Sequence, residues 1–524
     1  MNILGFLSSH DCAYSVMVDG QPFIHEELER ITRIKEGKGD GLEFAFQRMG
    51  SFDDIDMFTH MLSFPSPSTY GDRFDKINLN AHKQMGTYIE PGHHLAHASN
   101  AFFSSNFDKA LIVSIDAGGW DVTKSGHNFI TYTAIYRGQG NKVEEVQLFT
   151  EGGEKQLNIG CAWHFILPEV FGLSNGPPIG NQAGTLMAMA AVGTRTPFKD
   201  VIFDSFYGKV KLENYYEQMR QLIAKDEKEK YNITKALQEA TEEAIRALIA
   251  TYIRPDDEYI CMAGGVALNS VAVGKIQDWF PQIKEVYIPP VPYDAGLTFG
   301  ASQYIYHHLQ ENPRIRWDDN FTPYLGTTYE EAEVRDAIAK AGQNPINASD
   351  EEVVEMLTKN QIVSIFNGRS ESGRRALGNR SIIASPQDLK MKDLINEKVK
   401  HRQWFRPFAP SILKEEVKNW FVRDVNSPYM SHVIKFKQEV KDKVPAVVHF
   451  DDTGRLQTVT EKDNSWYYGF IKKWQVRTGI PIVLNTSFND REPIVEEPSH
   501  AIQCYLKTQI DALYFPEFKL LLKK

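Results

Sequence analysis

Four β-prone runs in this 524-residue chain end in the same manner, on a short polar or glycine-bearing stretch. Asn2 to Leu7 leads into Ser8-Ser9-His10-Asp11, and Lys109 to Ile115 into Asp116-Ala117-Gly118-Gly119. Glu258 to Met262 leads into Ala263-Gly264-Gly265, and Glu285 to Ile288 into Pro289-Pro290 and then Asp294-Ala295-Gly296. A strand that stops on such a loop delivers its polar residues to a sheet edge, where loops converge and backbone N–H groups can reach a ligand. Tyr231 to Ile253 between them keeps apolar residues at helical spacing, so the pattern predicts an α/β fold. Length then requires a division, since the chain is about twice the size at which one hydrophobic core stops growing. The polar stretch from Asn312 to Pro345 is the expected boundary. It gives a first domain over 1–340 and a second over 345–524 that restarts with a helix, Ser349 to Lys359, and a strand, Ile362 to Phe366. Further strands are expected at Ala446 to Phe450 and Ile482 to Leu484.

His93-His94-Leu95-Ala96-His97 sets His93 and His97 at i and i+4, on one side of a helix, where two imidazoles can share a metal ion. Asp116 and Asp294, each just past a β run, are the carboxylates placed to complete a mixed nitrogen and oxygen set of the kind that suits iron(II), manganese or zinc. The plainer alternative has Asp116 capping the segment that follows it. Gly118-Gly119 and Gly264-Gly265 let a backbone approach phosphate without a Cβ in the way. Together with the loop at His10, these pairs resemble the phosphate loops of the actin, hexokinase and Hsp70 (ASKHA) type of nucleotide fold.

A net charge of -10 disfavours a long nucleic-acid footprint, so a polyanion site has to be local. One such place exists. Between Arg369 and Arg406 there are ten Lys or Arg against four Asp or Glu, and the run from Gly368 to Ser381 is punctuated by glycine and follows a strand. An ordinary solvated helix face does not look like this, and arginine suits phosphate through its forked geometry. His449, Arg455, Gln457, Asn485 and Ser487 lie at the ends of other β runs and are candidates to meet the same ligand. The four cysteines form no CxxC pair, no run approaches the length of a membrane span, and the start of the chain lacks a basic and apolar leader, so a cytoplasmic protein is expected.

These motifs, taken in order, resemble the NodU/CmcH type of O-carbamoyltransferases across essentially the whole chain. The resemblance is carried by Ser9-His10-Asp11 with Asp19-Gly20, Glu29-Arg30 through Lys35, His93 through Ala98, the Asp116 loop, Gly264-Gly265-Val266-Ala267-Leu268-Asn269, and Pro289 through Gly296. It continues through Arg369 to Pro386, Phe405-Arg406-Pro407-Phe408-Ala409-Pro410, His449 through Gln457, and Asn485-Thr486-Ser487-Phe488-Asn489. It implies a TsaD-like N-terminal domain of the ASKHA type and a YrdC-like α/β C-terminal domain. The second would convert carbamoyl phosphate and ATP, with Mg2+, into carbamoyl-adenylate. The first would pass the carbamoyl group to an acceptor hydroxyl beside iron(II) or another divalent metal. Carried over by motif, His93, His97, Asp116 and Asp294 are the metal ligands. Gly118, Gly119, Gly264, Gly265 and Asn269 contact nucleotide in the first domain, and Arg369, Arg375, Arg380, Lys398, Arg406, His449, Arg455, Asn485 and Ser487 line the adenylation site, with Arg375 in a catalytic role.

His10 is the candidate base or hydrogen-bond donor in transfer, with Lys35 balancing charge there. The acceptor is expected to be a small molecule with a hydroxyl, such as an amino sugar, a nucleoside or nucleotide, or another alcohol, met by loops around Ser66 to Phe74 and Cys161 to Pro178. A homodimer is left open. Competing readings are a tRNA-modifying enzyme, which the net charge disfavours, and a catalytically silent nucleotide-binding protein, against which the full set of proposed ligands stands.

Overall fold

The structure is a computed structural model that describes residues 1–62, 91–122, 128–316 and 322–524. Contacts divide the chain into two compact units, Met1–Leu186 with Gly193–Thr322, and Met187–Val192 with Pro323–Lys524. The division thus falls earlier than the composition shift suggests. Within the stretch read as a polar boundary, the helix Glu331–Lys340 buries Val334 and Ile338 in the core of the second unit, where it packs on the helix Pro498–Lys507. Its apolar residues at i and i+4 need cover, and that need outweighs the polar composition around it.

Two sheets organise the described part of the first unit. In one, β1 (Asn2–Ser8), β2 (Ala13–Val18) and β3 (Gln21–Glu27) run as an antiparallel meander, and β4 (Met57–Leu62) pairs with β1 in parallel. In β1, Ile3, Leu4, Phe6 and Leu7 are all buried, as a near-continuous apolar strand covered on both faces must be. In the other, β5 (Lys109–Val122), β6 (Asn128–Gln139) and β7 (Lys142–Thr150) are antiparallel, and the strand Tyr259–Ala263 joins β5 in parallel with Glu285–Tyr287 beyond it.

β5 does not stop at Asp116 as the sequence suggests. It pairs Ile115 with Thr133 and Gly119 with Thr131, so extra residues bulge out between them and the strand resumes. Asp116 therefore sits on a bulge inside a long strand, a device that re-aims a side chain while keeping the sheet intact. The helix His93–Phe103 packs on β5, and the helix Leu297–Gln303 packs across it. At their crossing a Cβ on Gly300 would lie 1.8 Å from the Ala96 carbonyl oxygen, so only glycine allows the approach that carries Asp294 toward the histidines.

The second unit is built on a nine-stranded mixed sheet with apolar clusters on its two faces. Its central strands, Val363–Phe366, Arg380–Ala384, Ile482–Ser487 and Ala409–Leu413, carry the polar residues singled out by sequence at their ends. The strand expected at Ala446 to Phe450 is absent. Pro445–Val447 is a 3-10 turn led by a proline that cannot donate to a ladder, and the strand there is Thr453–Val459. Among the described residues no helix is long and apolar enough to cross a membrane.

Candidate active site

His93 begins its helix, and His97 follows one turn later on the same side. Gly92 offers that helix no side-chain cap, and Asp121 of β5 supplies one from outside. Its carboxylate accepts the backbone N–H of His94 at 3.1 Å and faces His94 Nδ1 at 3.2 Å. Burial holds the His94 imidazole below its usual range. Burial would raise Asp121, yet the bond from His94 keeps it below the carboxylate range, so a neutral ring donates to an ionised acid. The helix end that presents His93 is thereby clamped to the strand that presents Asp116.

The four donors meet closely. The Nε2 atoms of His93 and His97 are 3.1 Å apart. Asp116 Oδ2 lies 3.6 Å from the first and 3.1 Å from the second, and Asp294 Oδ1 lies 3.7 and 3.6 Å from them. One ligand atom from each of the four residues lies within 4.8 Å of every other. Two carboxylates converging on two imidazole nitrogens in a buried spot favour positive charge between them, and a two-nitrogen, two-oxygen set fits a divalent transition metal. The titrations agree. Burial would raise Asp116, but His93 and His97 hold it well below the carboxylate range; burial would lower His97, but Asp116 and Asp294 push it up to about 9.

A cavity of about 740 Å3 opens from this cluster. His10, His93 and Asp294 line it together with Gly118, Gly119 and the aromatic side chains of Trp120, Tyr132, Phe165 and Tyr216. His10 Nδ1 is 3.1 Å from Asp11 Oδ2 and its Nε2 is 3.6 Å from Asp294 Oδ2. The Asp11 bond, opposed by burial and aided by Asp294, pushes His10 up to about 9, which suits a donor of hydrogen bonds better than a base. Lys38 and Lys211 line the cavity, whereas Lys35 packs its side chain beside Gly180. Of the two acceptor loops expected, Cys161 and Phe165 reach the cavity wall, and Ser66 to Phe74 lies outside the described residues.

Several residues expected to contact nucleotide in this unit are engaged elsewhere. A Cβ on Gly119 would fall 2.1 Å from Cγ of His93, so its bareness makes room for an imidazole, and Gly264 is pressed in the same way on the Ile115 carbonyl. Gly265 lies beside Asp116. Asn269 caps the helix Ser270–Trp279 and exchanges hydrogen bonds of 3.1 and 3.0 Å with Gln238.

In the second unit, Arg402, Arg406 and Arg455 are each held below the usual guanidinium range by burial, Arg406 at about 10. Arg402 is lowered further by Arg406, and Arg455 by Arg375, Arg406 and Arg402. Four arginines thus converge, a geometry that favours a polyanion. Arg402 was not singled out in the sequence, and only the local excess of positive charge hinted at it. On the helix Lys390–Lys398, the charge of Lys392 reaches Arg402 and His449. Burial, with Arg455 and Lys392 adding to it, lowers His449 to about 4, and its Nδ1 lies 3.1 Å from Thr453 Oγ1.

Arg380 and Arg369 are tied to the backbone around them. Arg380 is wholly buried, stacks 3.6 Å above Phe366 and donates to the carbonyls of Asn367 and Gly368, while Arg369 donates to those of Leu325 and Gly326. Both guanidinium groups brace the loop that carries them. Asn485 is fully buried and donates to the Ala376 carbonyl, Ser411 and Gln457. Ser487 and Asn489 are gathered by the buried Lys400, whose Nζ is 2.6 Å from Asn489 Oδ1 and 3.2 Å from Ser487 Oγ.

Both units carry matches to known sequences. The family models for the carbamoyltransferase N-terminus and C-terminus match residues 70–303 and 354–522. The chain belongs to the carbamoyltransferase family.

Its relatives include nodulation protein NolNO of Sinorhizobium fredii, 29% identical over 551 residues that cover 96% of this chain and 78% of the relative. Nodulation protein NolO of Bradyrhizobium diazoefficiens is 31% identical over 451 residues, covering 81% of this chain and 78% of the relative. Among solved structures, HypF of T. kodakarensis aligns with 59% of this chain and 48% of its own at 14% identity and a TM-score of 0.38.

Proposed function

We propose that the chain is an ATP-dependent O-carbamoyltransferase that works in two half-reactions. In the second unit carbamoyl phosphate and water give carbamate and phosphate, and a carbamate oxygen attacks the α-phosphorus of ATP, Mg2+ accompanying the nucleotide. Carbamoyl-adenylate forms and pyrophosphate leaves. In the first unit a hydroxyl of a small-molecule acceptor attacks the carbamoyl carbon, and AMP leaves. The convergence of Arg375, Arg402, Arg406 and Arg455 is the observation that carries this reading, because two phosphate-bearing substrates bring about six negative charges that must be neutralised before attack.

In the transfer step a divalent metal held by His93, His97, Asp116 and Asp294 would supply Lewis acidity. His10, on the cavity wall beside Asp294, holds a proton toward the carbamoyl group. The reading is tested by incubating the protein with carbamoyl phosphate, ATP and iron(II) in the absence of acceptor. Pyrophosphate and carbamoyl-adenylate are expected from the wild type and neither from Arg375→Ala. Bound ATP that the wild type never cleaves would sink the proposal.

A further inference from the structure

Trp404 and Phe450 are large aromatic side chains left 53% and 50% exposed in the second unit, close in sequence to the half-buried Arg402 and Arg406 and to His449. Their rings meet edge to face, with centroids 5.3 Å apart and planes 86° apart. The pair is built into the basic cluster. Asn396 accepts from Arg402 Nε at 2.7 Å and donates to the carbonyls of Trp404 at 3.5 Å and Arg406 at 3.1 Å. Lys392, one turn earlier on the same helix, sets its Nζ 4.3 Å over the ring of Phe450. One helix face therefore holds the cations and the aromatic pair on a common frame.

Two features of a ligand are written in that frame. The arginines require concentrated negative charge, and a right-angled notch of two exposed rings requires a flat group with a π-face. Carbamoyl phosphate offers the first alone. A nucleoside triphosphate offers both on one molecule. We infer that Trp404 and Phe450 form the base-binding half of the nucleotide site, with the purine stacked in their notch and the phosphates directed to Arg402, Arg406 and Arg455. The inference rests on reading the second unit as the half that consumes ATP.

The emission of Trp404 itself tests it. The chain has 8 tryptophans, so the signal is taken as the difference between wild type and Trp404→Phe, in which any response from the others cancels. Titration with ATP is expected to quench this difference, and tripolyphosphate to compete with ATP without quenching. Phe450→Ala is expected to raise the half-saturating ATP concentration about tenfold and leave the competition constant of tripolyphosphate unchanged. The inference is overturned if ATP leaves the difference emission unaltered, if tripolyphosphate quenches it as deeply, or if Phe450→Ala weakens both alike. Pyrophosphate release is followed in parallel. Quenching without pyrophosphate removes the proposed function and keeps the base site, whereas pyrophosphate without quenching does the reverse.

Discussion

Replacing Gly119 with alanine probes the proposed metal site without touching a donor. The backbone at Gly119 does not adopt a positive φ, so alanine can take its conformation. Space is the difficulty. The new Cβ would sit 2.1 Å from Cγ and 2.2 Å from Cδ2 of His93. Carbon atoms in contact need about 3.5 Å, so the ring has to retreat by roughly 1.4 Å. A metal–nitrogen bond near 2.1 Å tolerates only about 0.2 Å of error, and His93 would be lost as a ligand. Disturbing a partner behind a ligand already costs 10- to 100-fold in affinity, so displacing the ligand is expected to cost about 100-fold, or roughly 2.7 kcal/mol. The assay is competition between the protein and a coloured chelator for iron(II), with acceptor-free pyrophosphate release as a control that should not change. Metal affinity within about threefold of wild type would refute the argument that β5 abuts the His93 ring.

Asp116→Asn removes charge from the cluster, and elemental analysis should show metal content falling from near one equivalent to near none while pyrophosphate release persists. Asp121→Ala strips the external cap from the His93 helix and strands two buried donors of His94. It should cost about 2–4 kcal/mol by urea unfolding, and metal affinity should fall about tenfold. Unaltered unfolding would exclude the clamp. Burial pushes His25, His60 and His307 down to about 4 and His432 to about 3. In the unfolded chain the same rings titrate near 6.5, so the unfolded state binds more protons in the window between pH 6.5 and 4. Stability is therefore retained above pH 6.5 and lost as pH falls through that window, by roughly 2 kcal/mol per histidine at pH 5. A urea midpoint that does not drop between pH 7 and pH 5 would contradict this.

Much of the site could be read in the sequence because its chemistry is tied to local spacing. His93 and His97 share a face by helix geometry alone, and Asp116 and Asp294 were marked by their position past β-prone runs. What escaped depends on tertiary partners. Nothing near Gly119 in sequence reveals that His93 will lie against it. Arg380 and Arg402 look alike as arginines in a basic run, yet one is wholly buried and stacked on Phe366 and the other is held by Asn396 of a neighbouring helix. Lys35 and Lys38 differ by three positions across a turn, and only the fold decides which one reaches the cavity wall. The domain boundary was misread for the same reason: the polar stretch was visible, but the core that Val334 and Ile338 join is assembled from residues far along the chain.

The four ligand candidates come from three stretches of chain, with His97 and Asp294 197 positions apart. An unfolded chain cannot gather them, so an ion bound there acts as a removable staple on the native state alone. At a free metal concentration one hundred times the dissociation constant, that staple adds about 2.7 kcal/mol to stability. If the four residues hold an ion as proposed, metal supply governs how long the molecule lasts as well as what it can catalyse, and a chain starved of that ion is easier to unfold and degrade.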